Sequence, residues 1–539
     1  MSEKILVRGV NWIGDAVMTL PALKALRKAY PESKITLLVK PSVAAIFEKD
    51  PSIDEIILYE ERFQGPIGKL ILSQRLREKH FSRAILLQNA FDAVLIALLA
   101  GIPQRMGYNR DRRGFLLTKA IPFSDDDRKM HHVDYYLNLL RALGISAENT
   151  QPWIHLSLDE RLKARDALSQ LKRPILGINP GAAYGSAKRW LPERFAEVAF
   201  WFINDTGGSV ILFGGKSEEG VSQEIEKMVE GRKSKPAWTL RRQSSGKREG
   251  RGLDDTTLAT RIASIQSEDV NNSLLNLAGK TSLRELISVI SECDVFLSND
   301  SGPMHVAYAV GTPLVALFGS TDPGLTGPAG EGSMVIQHPL SCSPCFERTC
   351  KESDMRCMYA ITSDEVFLAI KKMLPKNSAL FFDRDGTLCE DPHYLSSWKR
   401  FKLLDGVDGL AKLKPKGFRL IGVTNQSGIA RGLVGEDFVK EVNRLFVERY
   451  GFDDFFYCPH PPEEHCSCRK PEPGMLYAAR LKYGIDLRKS FVIGDKEVDM
   501  LLAKTVGAKG ILVRTGQDKE SSYADFGAEN LQDAIRLVK

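Results

Sequence analysis

Phe381-Phe382-Asp383-Arg384-Asp385-Gly386-Thr387 decides how this chain is read. An apolar pair runs into two carboxylates one residue apart, so both acids sit where a buried strand ends. That arrangement suits phosphoryl transfer through an enzyme-bound aspartyl phosphate. Further strand-like runs at 420–424, 490–493 and 510–513 follow it, and the strand at 379–382 opens the region. The stretch therefore belongs to a terminal domain, 379–539, entered through a linker at 375–378.

Upstream the pattern changes motif but not class. Strand-like runs at 4–10, 34–39 and 83–87 alternate with apolar residues at helical spacing over 16–29 and 93–99. Such alternation argues for parallel βαβ units with both faces covered. A new unit opens at Pro174-Ile175-Leu176-Gly177-Ile178-Asn179-Pro180-Gly181, with a helix from Pro192 and strands at 210–214, 295–298 and 314–318. The expected fold class is α/β, with a Rossmann-like domain at 1–170 and another at 171–374. The second carries a basic insertion at about 231–272 and a Cys-rich stretch at 342–357. Two consecutive units of this kind place a ligand cleft between them, facing the carboxyl ends of their strands.

Size and composition fit this reading. A chain of 539 residues is too long for one core. With 43% hydrophobic and 26% charged residues it has the balance of a globular protein, not a disordered one. The first residues read as a strand and not as a leader peptide. The longest strongly apolar stretch, 93–102, is about half of what a bilayer-spanning helix needs. The expectation is a cytoplasmic protein, with peripheral contact at the inner membrane left open. The net charge of +6 is local: residues 232–251 hold eight Lys or Arg and one Glu. Their Ser- and Gly-rich, aperiodic setting reads as a solvated insertion, so no nucleic-acid partner is expected.

Three motifs in order carry a family resemblance over about residues 1 to 370. They are Asn11-Trp12-Ile13-Gly14-Asp15, Pro180-Gly181-Ala182-Ala183-Tyr184-Gly185-Ser186-Ala187-Lys188-Arg189-Trp190 and Asn299-Asp300-Ser301-Gly302-Pro303-Met304-His305. The region resembles the lipopolysaccharide heptosyltransferases, heptosyltransferase II above all. The resemblance implies a two-Rossmann glycosyltransferase of the B type, inverting and without a metal at its centre. It also implies ADP-heptose as donor and anionic inner-core lipopolysaccharide as acceptor. Attack by a sugar hydroxyl needs a base, and the resemblance makes Asp15 that base; the plainer alternative is a helix cap. Lys188 and the amides around Ser301 and Gly302 can meet the charge of the departing diphosphate. Asp300 and His305 are donor-site residues by the same match, although a histidine on a helix is more often a packing residue. Gly214-Gly215 after a strand is a weak nucleotide signal. Arg105, Arg110, Arg112 and Arg113 read equally as acceptor contacts or as a solvated charge run.

Two cysteine groups stand out. Cys342, Cys345, Cys350 and Cys357 have the spacing C-x2-C-x4-C-x6-C, which leaves zinc, an iron–sulfur cluster and inert thiols open. Cys458, His460, Cys466 and Cys468 give C-x-H-x5-C-x-C. Three thiolates and one imidazole complete a closed tetrahedral shell, so a structural Zn2+ is expected there.

The terminal domain resembles the haloacid-dehalogenase-superfamily phosphatases, most of all those that act on D,D-heptose 1,7-bisphosphate. The residues are Asp383 to Thr387, Thr424-Asn425-Gln426-Ser427-Gly428-Ile429-Ala430-Arg431-Gly432, the Cys/His loop, Arg469-Lys470-Pro471 and Gly494-Asp495-Lys496. The resemblance implies that Asp383 is the nucleophile and Asp385 the acid and base. Mg2+ would be held by Asp383, Asp495 and the backbone carbonyl of Asp385. Thr424 and Lys470 would stabilise phosphoryl oxygens, and Asn425 and Arg469 would orient the sugar phosphate. Asp499 reads equally as a support of the metal site or as a surface acid. Histidinol phosphate is the rival substrate, and a non-catalytic role for one half is the rival from another class.

Overall fold

The computed structural model describes residues 3–233, 257–268 and 273–538. Most of the basic insertion lies outside the described residues. The chain divides into two compact units, Met1–Met373 and Leu374–Lys539.

The first unit holds two parallel sheets. One contains β1 (Lys4–Arg8), β2 (Lys34–Val39), β3 (Glu55–Leu58), β4 (Arg83–Leu86), β5 (Gln104–Tyr108) and β6 (Lys119–Ile121), arranged β3-β2-β1-β4-β5-β6. The other contains β7 (Ile175–Asn179), β8 (Ser209–Leu212), β9 (Leu274–Asn276), β10 (Val295–Asn299), β11 (Leu314–Leu317) and β12 (Ser333–Ile336), arranged β12-β11-β10-β7-β8-β9. The second unit repeats the order with β13 (Ser378–Phe382), β14 (Phe418–Asn425), β15 (Asp454–Cys458), β16 (Phe491–Gly494), β17 (Lys509–Val513) and β18 (Phe526–Ala528), arranged β15-β14-β13-β16-β17-β18. Counted from its own first strand, each sheet runs 3-2-1-4-5-6. The crossovers reverse direction between the first and fourth strands, which opens a crevice at the strands' carboxyl ends.

The central strands are apolar because helices cover both faces. Ile5, Leu6 and Val7 of β1, and Leu380, Phe381 and Phe382 of β13, are almost wholly buried. Edge strands β3, β12 and β18 are short and partly exposed, and their mixed composition leaves little apolar signal. The single helix expected over 16–29 is two, Ile13–Met18 and Leu20–Ala29. Pro21 has no N–H to continue the first ladder. Thr19 Oγ1 instead donates to the Ala16 carbonyl at 2.7 Å.

The helix Ile13–Met18 lies tightly against Gly302–Ala309 from the other sheet of the same unit. A Cβ on Gly14 would come within 2.7 Å of the His305 ring, and one on Gly302 within 2.8 Å of Ile13. These two glycines let the two helix starts approach, which brings Asp15 toward Ser301 and His305. Among the described residues no helix is long and apolar enough to cross a membrane.

Candidate active sites

Asp15 follows β1 and sits in the first turn of Ile13–Met18. The helix is capped at Trp12 without a side-chain bond, so Asp15 does not serve as its cap. Its carboxylate is 27% exposed and lies 3.4 Å from His132 Nδ1. Asp15, Trp12 and His132 line two cavities at once. One, about 640 Å³, lies within the leading half and is walled by Asn89, Arg110, Phe123, Arg128 and Tyr135. The other, about 650 Å³, reaches across to the second sheet and is walled by Lys188, Gly214, Gly215, Asp300, Ser301, Gly302 and His305. The carboxylate is thus placed where two ligands would meet.

On the second-sheet side, Lys188 pairs with Asp300, which also accepts from Thr321 Oγ1 at 2.6 Å. The Lys188 ammonium stands 4.7 Å from the Tyr184 ring centre. Asn179 Nδ2 donates to Ser301 Oγ at 3.0 Å and so ties the end of β7 to the loop after β10. His305 is buried, with Nδ1 at 3.1 Å from the Tyr308 hydroxyl. Burial pushes its pKa down to about 4, against the pull of the Asp300 and Asp15 charges, so the ring is neutral near pH 7.

The arginine group separates on inspection. Arg113 is fully buried and donates to the Tyr108 carbonyl at 3.1 Å and to Asn89 Oδ1 at 3.1 Å, so it braces the fold. Arg105 donates to the carbonyls of Leu116 and Ile102 at 2.9 and 2.6 Å. Arg110 lines the leading cavity, stacked 4.2 Å from the Phe123 ring centre. Neither reading of the group as a whole holds.

In the second unit Asp383 leaves β13 into a buried charge lattice. Lys470 Nζ lies 2.8 Å from Asp383, 2.6 Å from Asp499 and 3.1 Å from the Val423 carbonyl. Ligand oxygens of Asp383, Asp495 and Asp499 fall within 4.8 Å of one another. Burial alone would raise Asp383, but Lys470 and Lys496 outweigh it and hold the carboxyl below its ordinary range. Burial and the Asp383 charge push Asp495 up to about 7. Asp499, also raised by burial, reaches about 6. Asp495 Oδ1 is buried with no hydrogen-bond partner. Three converging carboxylates and an orphaned buried oxygen are what a hard cation would satisfy, so the residues fit Mg2+.

The Asp385 side chain stands outside that carboxylate group. Arg384, wholly buried, grips it at 2.9 and 3.1 Å and also donates to Asn443 Oδ1 at 3.1 Å. Gln426 Nε2 donates to Asp385 at 2.7 Å and to Thr424 Oγ1 at 2.8 Å. Asn425 and Lys470 exchange bonds through the backbone: Lys470 N–H donates to Asn425 Oδ1 at 3.0 Å, and Asn425 Nδ2 to the Lys470 carbonyl at 3.3 Å. Arg469 donates to the His460 carbonyl at 3.3 Å.

The Cys/His loop closes as a cluster. Neighbouring ligand atoms of Cys458, His460, Cys466 and Cys468 are 3.2–3.6 Å apart. These separations suit four ligands around one ion about 2.0–2.3 Å from each, so the set fits Zn2+. Because Lys470 follows Cys468 by two residues, the cluster also fixes the loop that delivers the ammonium. Among the described residues Cys342, Cys345, Cys350 and Cys357 do not converge in this way. They are free thiols, Cys345 exposed, and Cys357 lies near enough to the other three to feel their charges, so zinc, an iron–sulfur cluster and inert thiols stay open there.

Sequence reasoning missed His132, Thr321 and the Arg384 grip on Asp385. His131-His132 before a helix was a readable signal for the first. The other two depend on packing between distant segments and left none.

Known proteins match both regions. The glycosyltransferase family 9 (heptosyltransferase) profile matches residues 70–239 and 253–356. The HAD-hydrolase-like profile matches residues 467–534. The chain is 30% identical over 350 residues to lipopolysaccharide heptosyltransferase 2 of Salmonella typhimurium, covering 62% of this chain and 88% of that one. It is 40% identical over 181 residues to D-glycero-beta-D-manno-heptose-1,7-bisphosphate 7-phosphatase of Haemophilus influenzae, covering 30% of this chain and 97% of that one. The solved structure of E. coli ADP-heptose lps heptosyltransferase II superposes with a TM-score of 0.53 at 27% identity, over 69% of this chain and 98% of that chain. The first unit has the two-Rossmann, B-type glycosyltransferase architecture and the second the haloacid-dehalogenase one. The chain therefore belongs to glycosyltransferase family 9, the heptosyltransferases, with an enzyme of the HAD-type heptose bisphosphate phosphatase family joined after it.

Proposed function

We propose that the first unit transfers L-glycero-D-manno-heptose from ADP-heptose to the inner core of lipopolysaccharide. The second unit, on the same reading, hydrolyses the 7-phosphate of D-glycero-D-manno-heptose 1,7-bisphosphate. The observation that carries the proposal is that each unit presents an aspartate at the carboxyl end of its first strand, in the setting its chemistry needs.

In the transferase, an acceptor hydroxyl in the leading cavity gives its proton to Asp15 as its oxygen attacks the anomeric carbon of the donor. The bond from that carbon to the diphosphate breaks, and the electron pair leaves with the phosphate oxygen. Lys188 and the amides opening Gly302–Ala309 meet the new charge. Asp300 and Thr321 keep the ammonium aimed into the cavity. Neutral His305 supports the helix start from beneath and adds no competing charge.

In the phosphatase, Asp383 attacks phosphorus and the ester bond to the sugar oxygen breaks. Asp385 supplies the proton to that oxygen, which requires it to turn from the Arg384–Gln426 grip toward substrate. Water, deprotonated by Asp385, then attacks phosphorus and frees Asp383. Lys470 keeps the nucleophile anionic, and Thr424 faces the transferring oxygens with it. Asn425 and Arg469 orient the sugar phosphate. Mg2+ held by Asp383, Asp495 and the Asp385 backbone carbonyl would offset repulsion between carboxylate and phosphate. Zn2+ held by Cys458, His460, Cys466 and Cys468 would be structural. The same reading expects the protein in the cytoplasm, where such substrates would be made.

Phosphate release from heptose bisphosphate and from histidinol phosphate, measured side by side, tests the second half. The reading expects heptose bisphosphate to be turned over faster. Faster histidinol phosphate hydrolysis would replace it. Heptosyl transfer from ADP-heptose to heptose-deficient inner core tests the first half, and no transfer would refute it.

A further inference from the structure

Exposed apolar side chains gather on one face of the first unit's leading half. The helix Gly65–Arg77 buries Leu72 and Leu76 against the core. A surface helix ordinarily carries polar residues opposite such a stripe. Here Ile67, Leu70 and Ile71 occupy that side at helical spacing, 74%, 55% and 48% exposed. The helix packs on its neighbour Phe91–Leu99, where Phe91 and Leu98 are also exposed. The Phe91 ring lies 6.3 Å from that of Phe115, which is 79% exposed. Exposed apolar side chains grouped on two packed helices and the turn beside them mark an interaction site.

Two observations say what covers it. The first is charge: Gly65–Arg77 carries Lys69, Arg75 and Arg77 and no carboxylate, so that with Lys69 paired to Asp92 of the neighbouring helix Arg75 and Arg77 remain as excess positive charge, and Arg112, beside Asp111, is exposed close in sequence to Phe115. Aliphatic and aromatic residues edged with basic ones suit an anionic lipid surface. The second is position. Ala90, which precedes Phe91, and Arg110 and Asp111, which precede Phe115, line the cavity at Asp15 on the leading side. The apolar face therefore runs to the rim of that cavity.

We propose that the face formed by Gly65–Arg77, Phe91, Leu98 and Phe115 docks on an anionic phospholipid bilayer and holds the rim of the leading cavity at the lipid surface. An acceptor sugar carried on a lipid would then enter without leaving the membrane, and that part rests on the transferase reading.

Cosedimentation of the full chain with phosphatidylethanolamine–phosphatidylglycerol vesicles tests this. The wild type is expected to sediment with them. The triple substitution Ile67→Ser, Leu70→Ser and Ile71→Ser should lower the bound fraction by roughly tenfold or more, and Phe115→Ser by several-fold. These positions are exposed, so unchanged circular dichroism serves as the folding control. Transfer to a vesicle-embedded acceptor should fall in step, while transfer to a deacylated soluble acceptor should not change. Failure of the wild type to sediment, or equal binding by the variants, overturns docking. So does conversion of a dimer to a monomer by the triple substitution, since a second copy would then cover the face. Vesicle binding lost on substitution, with no transfer to either acceptor, supports docking and removes only the reading of the activity.

Discussion

Each unit places an aspartate after the first strand of a 3-2-1-4-5-6 sheet, and the surroundings of the two are opposite. Asp15 is 27% exposed and stands between two cavities with His132 at 3.4 Å. Asp383 is 5% exposed and bound to Lys470 at 2.8 Å, with Asp495 and Asp499 close by. A base that takes a proton from a large acceptor must be reachable and loosely held. A nucleophile that approaches an anionic phosphate must be fixed and kept ionised. One topology thus serves two chemistries because the loops after the strands, not the sheets, set the electrostatics.

The comparison is broken most severely at Lys470. Lys470→Met leaves the buried carboxylates of Asp383 and Asp499 without their shared cation. Removing one partner of a buried pair costs about 3–5 kcal/mol. The thermal transition of the second unit should fall accordingly and phosphate release should be lost, with transfer unchanged. An unshifted transition would mean that the lattice is not as dry as it looks.

Asp495→Asn sharpens the contrast without removing the lysine. It lowers the site's negative charge and should cut phosphate release by roughly 10²–10³-fold. A chelator should do the same to the native chain, and added Mg2+ should restore it. Transfer should survive both treatments. Loss of transfer in the chelator would contradict the metal-free reading of the first site.

A smaller effect separates the units by pH. His305 is buried neutral, with its pKa at about 4 against an ordinary value near 6.5. Below about 6.5 the unfolded chain takes up a proton that the folded one refuses. Stability of the first unit is therefore full above that pH and falls as pH drops toward about 4, by roughly 3–4 kcal/mol in all. Thermal melts at pH 7 and pH 5 measure it. His305→Gln should flatten the slope, and an unchanged slope would assign it to other groups.

Much of this was legible in the sequence, and what was not has a common cause. Central strands such as β1, β7 and β13 announce themselves as apolar runs because both faces are covered. Edge strands β3, β12 and β18 do not, since part of each meets solvent. Motif residues that follow central strands, Asp15, Asp300, Asp383 and Asp495, could be named from the family resemblance that their motifs carry. Their partners could not: Thr321 reaches Asp300 from another loop, and Arg384, which grips its own neighbour, also donates to Asn443 on a distant helix. The arginine group could not be sorted for the same reason. Spacing puts such residues near one another but does not aim their side chains.

The central claim is that one chain carries two independent activities on two differently housed aspartates. Measuring heptosyl transfer and phosphate release on the same preparations of Asp15→Ala and Asp383→Asn tests it most directly. Asp15→Ala should lose transfer by roughly 10²–10⁴-fold and keep phosphate release; Asp383→Asn should do the reverse. Loss of both activities from either substitution in a folded protein would contradict the account.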